Sequence, residues 1–252
     1  MGRRKTVIYT NCYGQEIFFD NRVFFCEEIK LSGGAAKYSS LALSYSDGQV
    51  TSGYGAEPLP IHFRFSLFDR QNNEYLRNRL VDVFTPTEPG VLKIYTENEV
   101  YSIDVHLTAR PEIKRTGRRV YTGEADFTAD FPYFRKGVRM SEITTDDIHT
   151  EIISRSPVKL FPVITFFGGA RLRNDTTGAG FSVSRNFGSA EYITVDTNTF
   201  KVRDNNGNDV NYLIAGNEDI GDVFLMPGEN DIYCTRPGTA VIRWWELRGG
   251  II

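Results

Sequence analysis

Pro60-Ile61-His62-Phe63-Arg64-Phe65-Ser66-Leu67-Phe68 is the stretch that decides the fold class. Ile61, Phe63, Phe65 and Leu67 fall on one side of an extended chain, and His62, Arg64 and Ser66 fall on the other. That period-two alternation buries one face of a strand and solvates its opposite face. Working outward, 16–20 and 23–29 are aromatic and β-branched runs that predict two more strands, and 41–45 predicts a short one. Ser46-Asp47-Gly48, and then 51–55 with two glycines, read as a long loop or connection.

Downstream, 72–84 predicts a helix. Asn72 or Asn73 stands ready as N-cap with Glu74 in the first turn. Tyr75, Leu76, Leu80, Val83 and Phe84 form one apolar stripe, with Arg77 and Asn78 off it. Thr85-Pro86 and Pro89-Gly90 end the helix and turn the chain. Residues 91–96 and 100–108 then predict a hairpin around Glu97-Asn98-Glu99. The first half thus reads as a β-rich domain with one helix packed on its sheet.

The composition agrees with a mostly β protein. The 252 residues are 40% hydrophobic and 24% charged, with 18 Phe, 13 Tyr and 23 Gly and few long Ala/Leu/Glu runs. That length suits one large or two medium domains. A formal net charge of −3 argues against a protein whose main work is gripping nucleic acid, which needs a concentrated basic face. Cys12, Cys26 and Cys234 are an odd count without CxxC spacing. They form neither a zinc ligand set nor a disulfide framework, and are expected as buried small apolar side chains in a reducing cytoplasm. No secretory signal follows the basic start, no run reaches membrane-spanning length, and the match of Met1-Gly2-Arg3-Arg4-Lys5-Thr6 to a myristoylation pattern is read as a flexible basic N-terminus.

Between the halves, Arg110, Lys114, Arg115, Arg118 and Arg119 make the one basic cluster, with Glu112 its lone acid. It reads as a solvated loop, or as a loop that meets an acidic surface or lines a DNA passage. An acidic stretch and Phe131-Pro132-Tyr133-Phe134 follow, and then a polar stretch, 136–157, poor in strand-like runs. The first domain is therefore set at 1–134 and the junction at 135–157. Beyond it, strands are expected at 158–167, 180–187, 191–196, 199–203, 211–215, 223–226, 231–235 and 239–245. Gly168-Gly169, Thr177-Gly178, Asn206-Gly207, Pro227-Gly228 and Pro237-Gly238 separate them. Short strands at that spacing predict an antiparallel sandwich.

No constellation carries catalytic chemistry. His62-Phe63-Arg64 is similar to a galectin sugar-binding strand, and Trp244, Trp245 and Glu246 would complete such a site, but the two lie at opposite ends of the chain. Asp204-Asn205-Asn206-Gly207-Asn208-Asp209 is similar to a calcium loop, yet Asp209 stands where the EF-hand wants glycine, and an Asn-Gly hairpin tip accounts for it. Asp126, Asp130, Asp146, Asp147 and Glu151 read as solvated charge rather than an acid/base pair. His62, His106 and His149 fit no metal motif, and neither a nucleophile elbow nor a phosphate loop is present. The expectation is no catalytic residue, no metal and no cofactor.

Several motifs, in order, resemble the distal tail (Dit) proteins of long-tailed, siphovirus-type bacteriophages, mainly those of Gram-positive hosts. Gly14-Gln15-Glu16-Ile17-Phe18-Phe19-Asp20 resembles the family's opening strand, and Pro60-Ile61-His62-Phe63-Arg64-Phe65 its central strand. The run from Glu74 through Arg79-Leu80 and Phe84, then Thr85-Pro86 and Gly90-Val91-Leu92, is similar to its helix–turn–strand unit. Ala125-Asp126-Phe127 to Phe131-Pro132-Tyr133-Phe134 resembles its exit from the first domain. Gly169-Ala170-Arg171-Leu172-Arg173-Asn174 with Thr176-Thr177-Gly178 is similar to the start of its galectin-like sandwich, and Leu225-Met226-Pro227-Gly228-Glu229-Asn230-Asp231-Ile232 to a turn near its end. The basic stretch 110–119 and the Gly249-Gly250-Ile251-Ile252 tail have no counterpart in that pattern.

The resemblance implies a virion structural protein of the tail tip or baseplate, not an enzyme. It implies a ring, usually a hexamer, built by the first domain and stacked on the tail tube protein. A galectin-like β-sandwich at 158–240 projects outward to carry receptor-binding proteins, and 241–252 is a terminal strand able to return to the first domain. The other ring face would dock the tail-tip, tail-associated lysin protein, with the tape measure protein and DNA passing through the hole. No specific nucleic-acid binding and no membrane insertion are implied. Ring-interface candidates are Ser46, Asp47, Gly48, Gly53, Tyr54, Gly55, Arg77 and Arg79. Channel or partner-facing candidates are Lys114, Arg115, Arg118 and Arg119. The competing expectation is a carbohydrate-binding module for host cell-wall polysaccharide, with Trp244 or Tyr212 stacking on sugars.

Overall fold

The computed structural model describes residues 6–32, 36–42, 49–68, 74–85, 88–144, 148–184, 191–215, 219–236 and 239–250, with backbone only over 36–42 and 49–55 and at 138, 139, 141 and 143. The described chain is mostly β with one helix, and its strands pair antiparallel. Two compact units divide it, Met1–Arg135 with Gly249–Ile252, and Lys136–Arg248.

The first unit contains β1 (Thr6–Thr10), β2 (Glu16–Phe19), β3 (Phe24–Leu31), β4 (Ala36–Ala42), β5 (Gln49–Ala56), β6 (Leu59–Phe68), α1 (Glu74–Val83), β7 (Gly90–Tyr95), β8 (Val100–Leu107), β9 (Ile113–Arg115) and β10 (Val120–Ala129). β1 pairs with β2 and β7, and β7 with β8. β6 lies between β3 and β10, and β9 pairs with β10. The alternation that predicts β6 is realised: Ile61, Phe63, Phe65 and Leu67 are buried. Phe63 packs on Phe19 and Phe65, and both of these pack with Phe84, which stacks nearly parallel on Tyr9 and Phe65 at 5.2 Å between ring centres. Offset stacking in a dry core adds to the area these rings remove from water.

α1 meets this core most deeply at its last turn, with Leu76 of the first turn packed against it. Leu80, Val83 and the following Phe84 are buried, whereas Tyr75, expected on the same stripe, is 65% exposed in the first turn. The apolar face therefore runs through Leu76, Leu80 and Val83 and leaves Tyr75 outside it. The expected N-caps, Asn72 and Asn73, lie outside the described residues.

Three stretches differ from expectation. Residues 51–55, read as loop, belong to β5, which pairs with β4 from Ala36↔Ala56 to Ala42↔Gln49. β10 spans ten residues that the sequence reading passes over as the end of a basic stretch and the start of an acidic one. Its inward positions are Gly123, Ala125, Phe127 and Ala129. Gly123 faces Phe65, and a Cβ there would lie 2.6 Å from that ring, so neighbouring rings fill the volume that a large inward side chain would occupy. The stretch 136–157, expected to hold few strands, contains most of β11 (Phe134–Ile143) and all of β12 (His149–Ser154). In β12 two of the three inward residues are Thr150 and Ser154, so burial there carries little apolar signal.

The second unit continues with β13 (Val163–Phe166), β14 (Arg171–Asn174), β15 (Ala179–Ser182), β16 (Ile193–Asp196), β17 (Lys201–Asp204), β18 (Gly228–Cys234) and β19 (Ala240–Arg248). The order β17-β16-β13-β19-β11 runs through one sheet, and β12-β18-β14-β15 forms a second. The inward residues Ile164, Phe166, Leu172, Phe181, Val195, Ile232 and Ile242 are buried, with Phe166 and Phe181 edge to face. Two expected strands are absent. Residues 211–215 hold a 3₁₀ turn, Asn211–Leu213, because the Asn211 carboxamide accepts from the Val202 N–H at 2.7 Å and local backbone bonds close the turn. Residues 223–226 meet a neighbour only at the Leu160↔Leu225 bridge.

The Leu-Met-Pro-Gly-Glu-Asn stretch at 225–230 is held by one side chain. Asn230, fully buried, donates to the Met226 and Gly228 carbonyls at 2.9 and 3.1 Å and accepts from the Met226 N–H at 2.7 Å and Asn174 Nδ2 at 3.1 Å. Gly228 sits within this clamp at φ +93°, a conformation that L side chains rarely adopt.

Candidate functional site

The polar face of β3, β6 and β10 follows from the alternation. Lys30 lies opposite His62, and Glu28 opposite Arg64, on one side; Asp126 and Glu124 lie opposite the same two residues on the other. His62 Nδ1 is 2.7 Å from Asp126 Oδ1, Lys30 Nζ is 3.1 Å from Glu28, and Arg64 is 3.8 Å from Glu28. Next to this ladder is an open cavity of about 740 Å³ lined by Glu27, Arg64, Arg110, Glu112, Lys114, Glu124 and Asp126 among others. Alternating, largely exposed charge of this kind gives selectivity of docking and register more than raw affinity. His62 and Arg64 do share a strand face, as the galectin comparison needs, but their partners are carboxylates of adjacent strands.

The basic stretch is a β-hairpin, not a plain loop. Arg115, Lys114 and Ile113 of β9 pair with Tyr121, Thr122 and Gly123 of β10, and residues 116–119 form the tip. Arg115 folds back on that tip, donating to the Gly117 and Arg118 carbonyls at 3.1 and 2.9 Å. Lys114 pairs with Glu112 at 2.9 Å. Lys114, Arg115, Arg118 and Arg119 are all exposed. A hairpin holds their backbone positions while the heads stay hydrated, which suits a charged partner surface.

Among the ring-interface candidates, Ser46, Asp47 and Gly48 lie outside the described residues, and Gly53, Tyr54 and Gly55 fall on β5, where only the backbone is described. Arg77 and Arg79 project from α1 toward different neighbours. The Arg77 guanidinium lies 5.2 Å from the centre of the Tyr121 ring and donates to its hydroxyl at 3.2 Å. Arg79 donates to the Glu16 carbonyl of β2 at 3.0 Å. Among the described strands β2 pairs with β1 alone, and Arg79 satisfies a carbonyl of this edge strand. β3 ends the path on its side of the sheet. Open edges are ready-made surfaces for strand pairing with another chain.

In the second unit, Trp244 is buried, which corrects the expectation that it stacks on sugar. Its indole N–H donates to Glu246, and the same carboxylate accepts from the Arg155 N–H and the Ser156 hydroxyl. Trp245 is partly buried, and Tyr212 is 74% exposed. Sequence reasoning overlooked Phe167 and Tyr192, whose rings lie 6.1 Å apart beside Thr165, Thr194 and Arg243 in a shallow cavity of about 340 Å³. The loop that is similar to a calcium site is a turn closed by Asp204, whose carboxylate accepts from the Asn206 and Asn208 N–H groups and the Asn208 carboxamide. The Asn208 carboxamide, with those N–H groups, holds the Asp204 carboxyl below its usual range.

Of the carboxylates weighed for acid/base work, Asp126 and Asp130 face His62 and His106, Glu151 is exposed, and Asp146 and Asp147 lie outside the described residues. Cys234 is fully buried as expected, whereas Cys12 and Cys26 are only partly buried.

The chain's fold is that of phage baseplate hub proteins. Its likeness to the crystal structure of the SPP1 Dit (gp 19.1) protein, described as a paradigm of the hub adsorption apparatus in phages that infect Gram-positive bacteria, has a TM-score of 0.75 at 15% identity and covers 98% of this chain and 100% of that one. A chain of the phage P2 baseplate in its activated conformation with Ca aligns with a TM-score of 0.58 at 12% identity, over 99% of this chain and 100% of that one. No protein-family profile matches the chain. No curated protein matches it either. The resemblance to distal tail proteins drawn from the ordered motifs therefore holds at the level of fold, from end to end.

Proposed function

We propose that this chain is a distal tail protein, a structural component of a phage tail tip that forms the hub of the baseplate. The observation that carries the reading is the full-length likeness to SPP1 Dit, both chains covered almost completely. The leading β unit, about 1–134, builds a ring of identical subunits, a hexamer. The segment 135–157 joins it to a galectin-like sandwich at 158–240 that carries receptor-binding proteins, and 241–252 is a strand able to return to the first domain. The ring sits between the tail tube protein and the tail-tip, tail-associated lysin protein, and the tape measure protein and DNA pass through its channel. The role is structural, in the virion, after assembly in the host cytoplasm. It needs no cofactor and no metal for catalysis.

Closed rings need a heterologous interface that returns on itself, and the open edges of β2 and β3 together with the β4–β5 hairpin supply surface for one. In this reading Ser46, Asp47, Gly48, Gly53, Tyr54, Gly55, Arg77 and Arg79 lie at or near the ring contact, and Lys114, Arg115, Arg118 and Arg119 face the channel or a partner. Light scattering on the size-excluded full chain, with negative-stain images, tests it. A mass of six chains and annular particles are the expected result, and a strict monomer at high concentration without rings would overturn it.

A second reading, polysaccharide binding by the second unit, has one observation in its favour: the Phe167–Tyr192 pair beside hydroxyls and a guanidinium. Retention on host cell walls that is lost in Tyr192→Ala supports it, and equal retention of both proteins removes it.

A further inference from the structure

Three adjacent antiparallel strands carry a donor set that no local motif announces. β18 lies between β12 and β14, with Glu151 opposite Asp231 on one side and Arg173 opposite Tyr233 on the other. Asp175, the residue after β14, donates its N–H to the Asp231 carbonyl at 2.8 Å, and the Asp231 N–H donates to the Thr176 hydroxyl at 3.0 Å. His149 Nδ1 lies 3.0 Å from both carboxylate oxygens of Asp231 and 3.8 Å from Asp175 Oδ2. All three donor groups fall within 4.8 Å of one another.

One imidazole and two carboxylates suit a first-row divalent cation, and Zn²⁺ binds such ligands at about 2.0–2.2 Å. Ligand atoms around one such ion are about 3–4 Å apart by that geometry; the imidazole stands at 3.0 and 3.8 Å from the two carboxylates, and these lie within 4.8 Å of each other. Surrounding residues position the donors. The Tyr233 ring meets the His149 ring edge-on at 5.4 Å, and the Arg173 guanidinium lies 5.4 Å from the same tyrosine ring. Arg173 also holds Asp175 through Oδ1, so that Oδ2 is the oxygen nearer His149. Two carboxylates and one guanidinium leave a net charge of −1 for a divalent ion to meet, and exposed Glu151 adds a further carboxylate beside Asp231.

We propose that His149, Asp175 and Asp231 bind one divalent transition-metal ion per chain, with Zn²⁺ favoured, and that the ion ties β12, β18 and β14 together. The alternative use of the same atoms is an ion pair between a protonated His149 and Asp231, without metal. Calorimetric titration of the full chain with ZnCl₂ in chelator-free buffer at neutral pH separates the two. One ion per chain is expected, with binding weakened at least tenfold in His149→Ala and in Asp231→Asn and unchanged in the control His62→Ala, whose ring pairs with a single carboxylate, Asp126, in the first unit. The melting temperature should rise by roughly 5 °C at a hundredfold excess over Kd, and that rise should vanish in the double variant His149→Ala, Asp231→Asn. If the double variant does not fold, as read by circular dichroism, the visible spectrum of the wild-type chain titrated with Co²⁺ decides, since ligand-field bands appear on coordination. No saturable Zn²⁺ binding, binding that persists in a folded double variant, or a featureless Co²⁺ spectrum overturns the proposal.

Discussion

At the scale of single residues, the two cores rest on polar groups treated in opposite ways. Tyr9 is fully buried between Phe84 and Phe127, and among the described residues its hydroxyl has no hydrogen-bond partner. Burial, with a smaller contribution from Cys12, pushes its pKa from the ordinary 10.0 up to about 12. A raised acid pKa in the folded state means that the neutral phenol is favoured there. Its contribution to stability is complete below pH 10 and is lost as the pH rises toward 12, by about 2–3 kcal/mol. Tyr9→Phe keeps the ring and removes the unsatisfied group. Urea unfolding should show the variant more stable by about 1 kcal/mol at neutral pH, with the gap to wild type widening between pH 10 and 12. A variant less stable at pH 7 would mean that the hydroxyl has a partner after all.

Asn230 is the contrasting case, because each of its side-chain polar atoms is used. Asn230→Ala takes the partner from the Met226 N–H and two carbonyls of the turn and leaves a gap where the buried carboxamide stood, and should cost about 2–3 kcal/mol in denaturant midpoint analysis. A loss under 1 kcal/mol would indicate that water replaces the carboxamide.

At the scale of elements, legibility tracks how much apolar side chain a strand turns inward. β6 and β8 alternate large apolar and polar residues, so periodicity finds them. β10 turns Gly123 and two alanines inward with one large residue, Phe127, and β12 turns a threonine and a serine inward with Ile152, so their burial leaves only a weak pattern. β5 is Gly- and Ser-rich and pairs through its backbone, a signal that sequence does not carry. The same logic predicts that Gly123→Ala, although a small change, destabilises the chain by about 1–3 kcal/mol through overpacking against Phe65. The candidate surfaces divide in the same way. The basic residues at 114–119 are legible as a cluster, but the hairpin presenting them depends on β10. His149, Asp175 and Asp231 are scattered in sequence and meet only because β18 separates β12 from β14. Arg118 and Arg119 are exposed at the hairpin tip. Replacing both with Gln should leave stability within 0.5 kcal/mol by thermal melting and leave the ring mass unaltered. Loss of the ring would move this hairpin from the channel into the subunit contact.

At the scale of the whole molecule, the ordered motifs carry the fold from end to end even though identity to SPP1 Dit is only 15%. Each unit has apolar residues of its own to bury. In the first, Phe19, Phe63, Phe65 and Phe84 belong to one cluster; in the second, Phe166 packs on Phe181. If ring contacts belong to the leading unit, weakening the second core should not disperse the ring. Phe181→Ala removes a fully buried ring and should destabilise the second unit by about 3–5 kcal/mol. Differential scanning calorimetry should then show a transition of the second unit moved to lower temperature, while light scattering below that transition still gives the mass of the full ring. Subunits that separate while the second unit remains folded would place the ring contact in the trailing half, and the division of labour between the two units would have to be reversed.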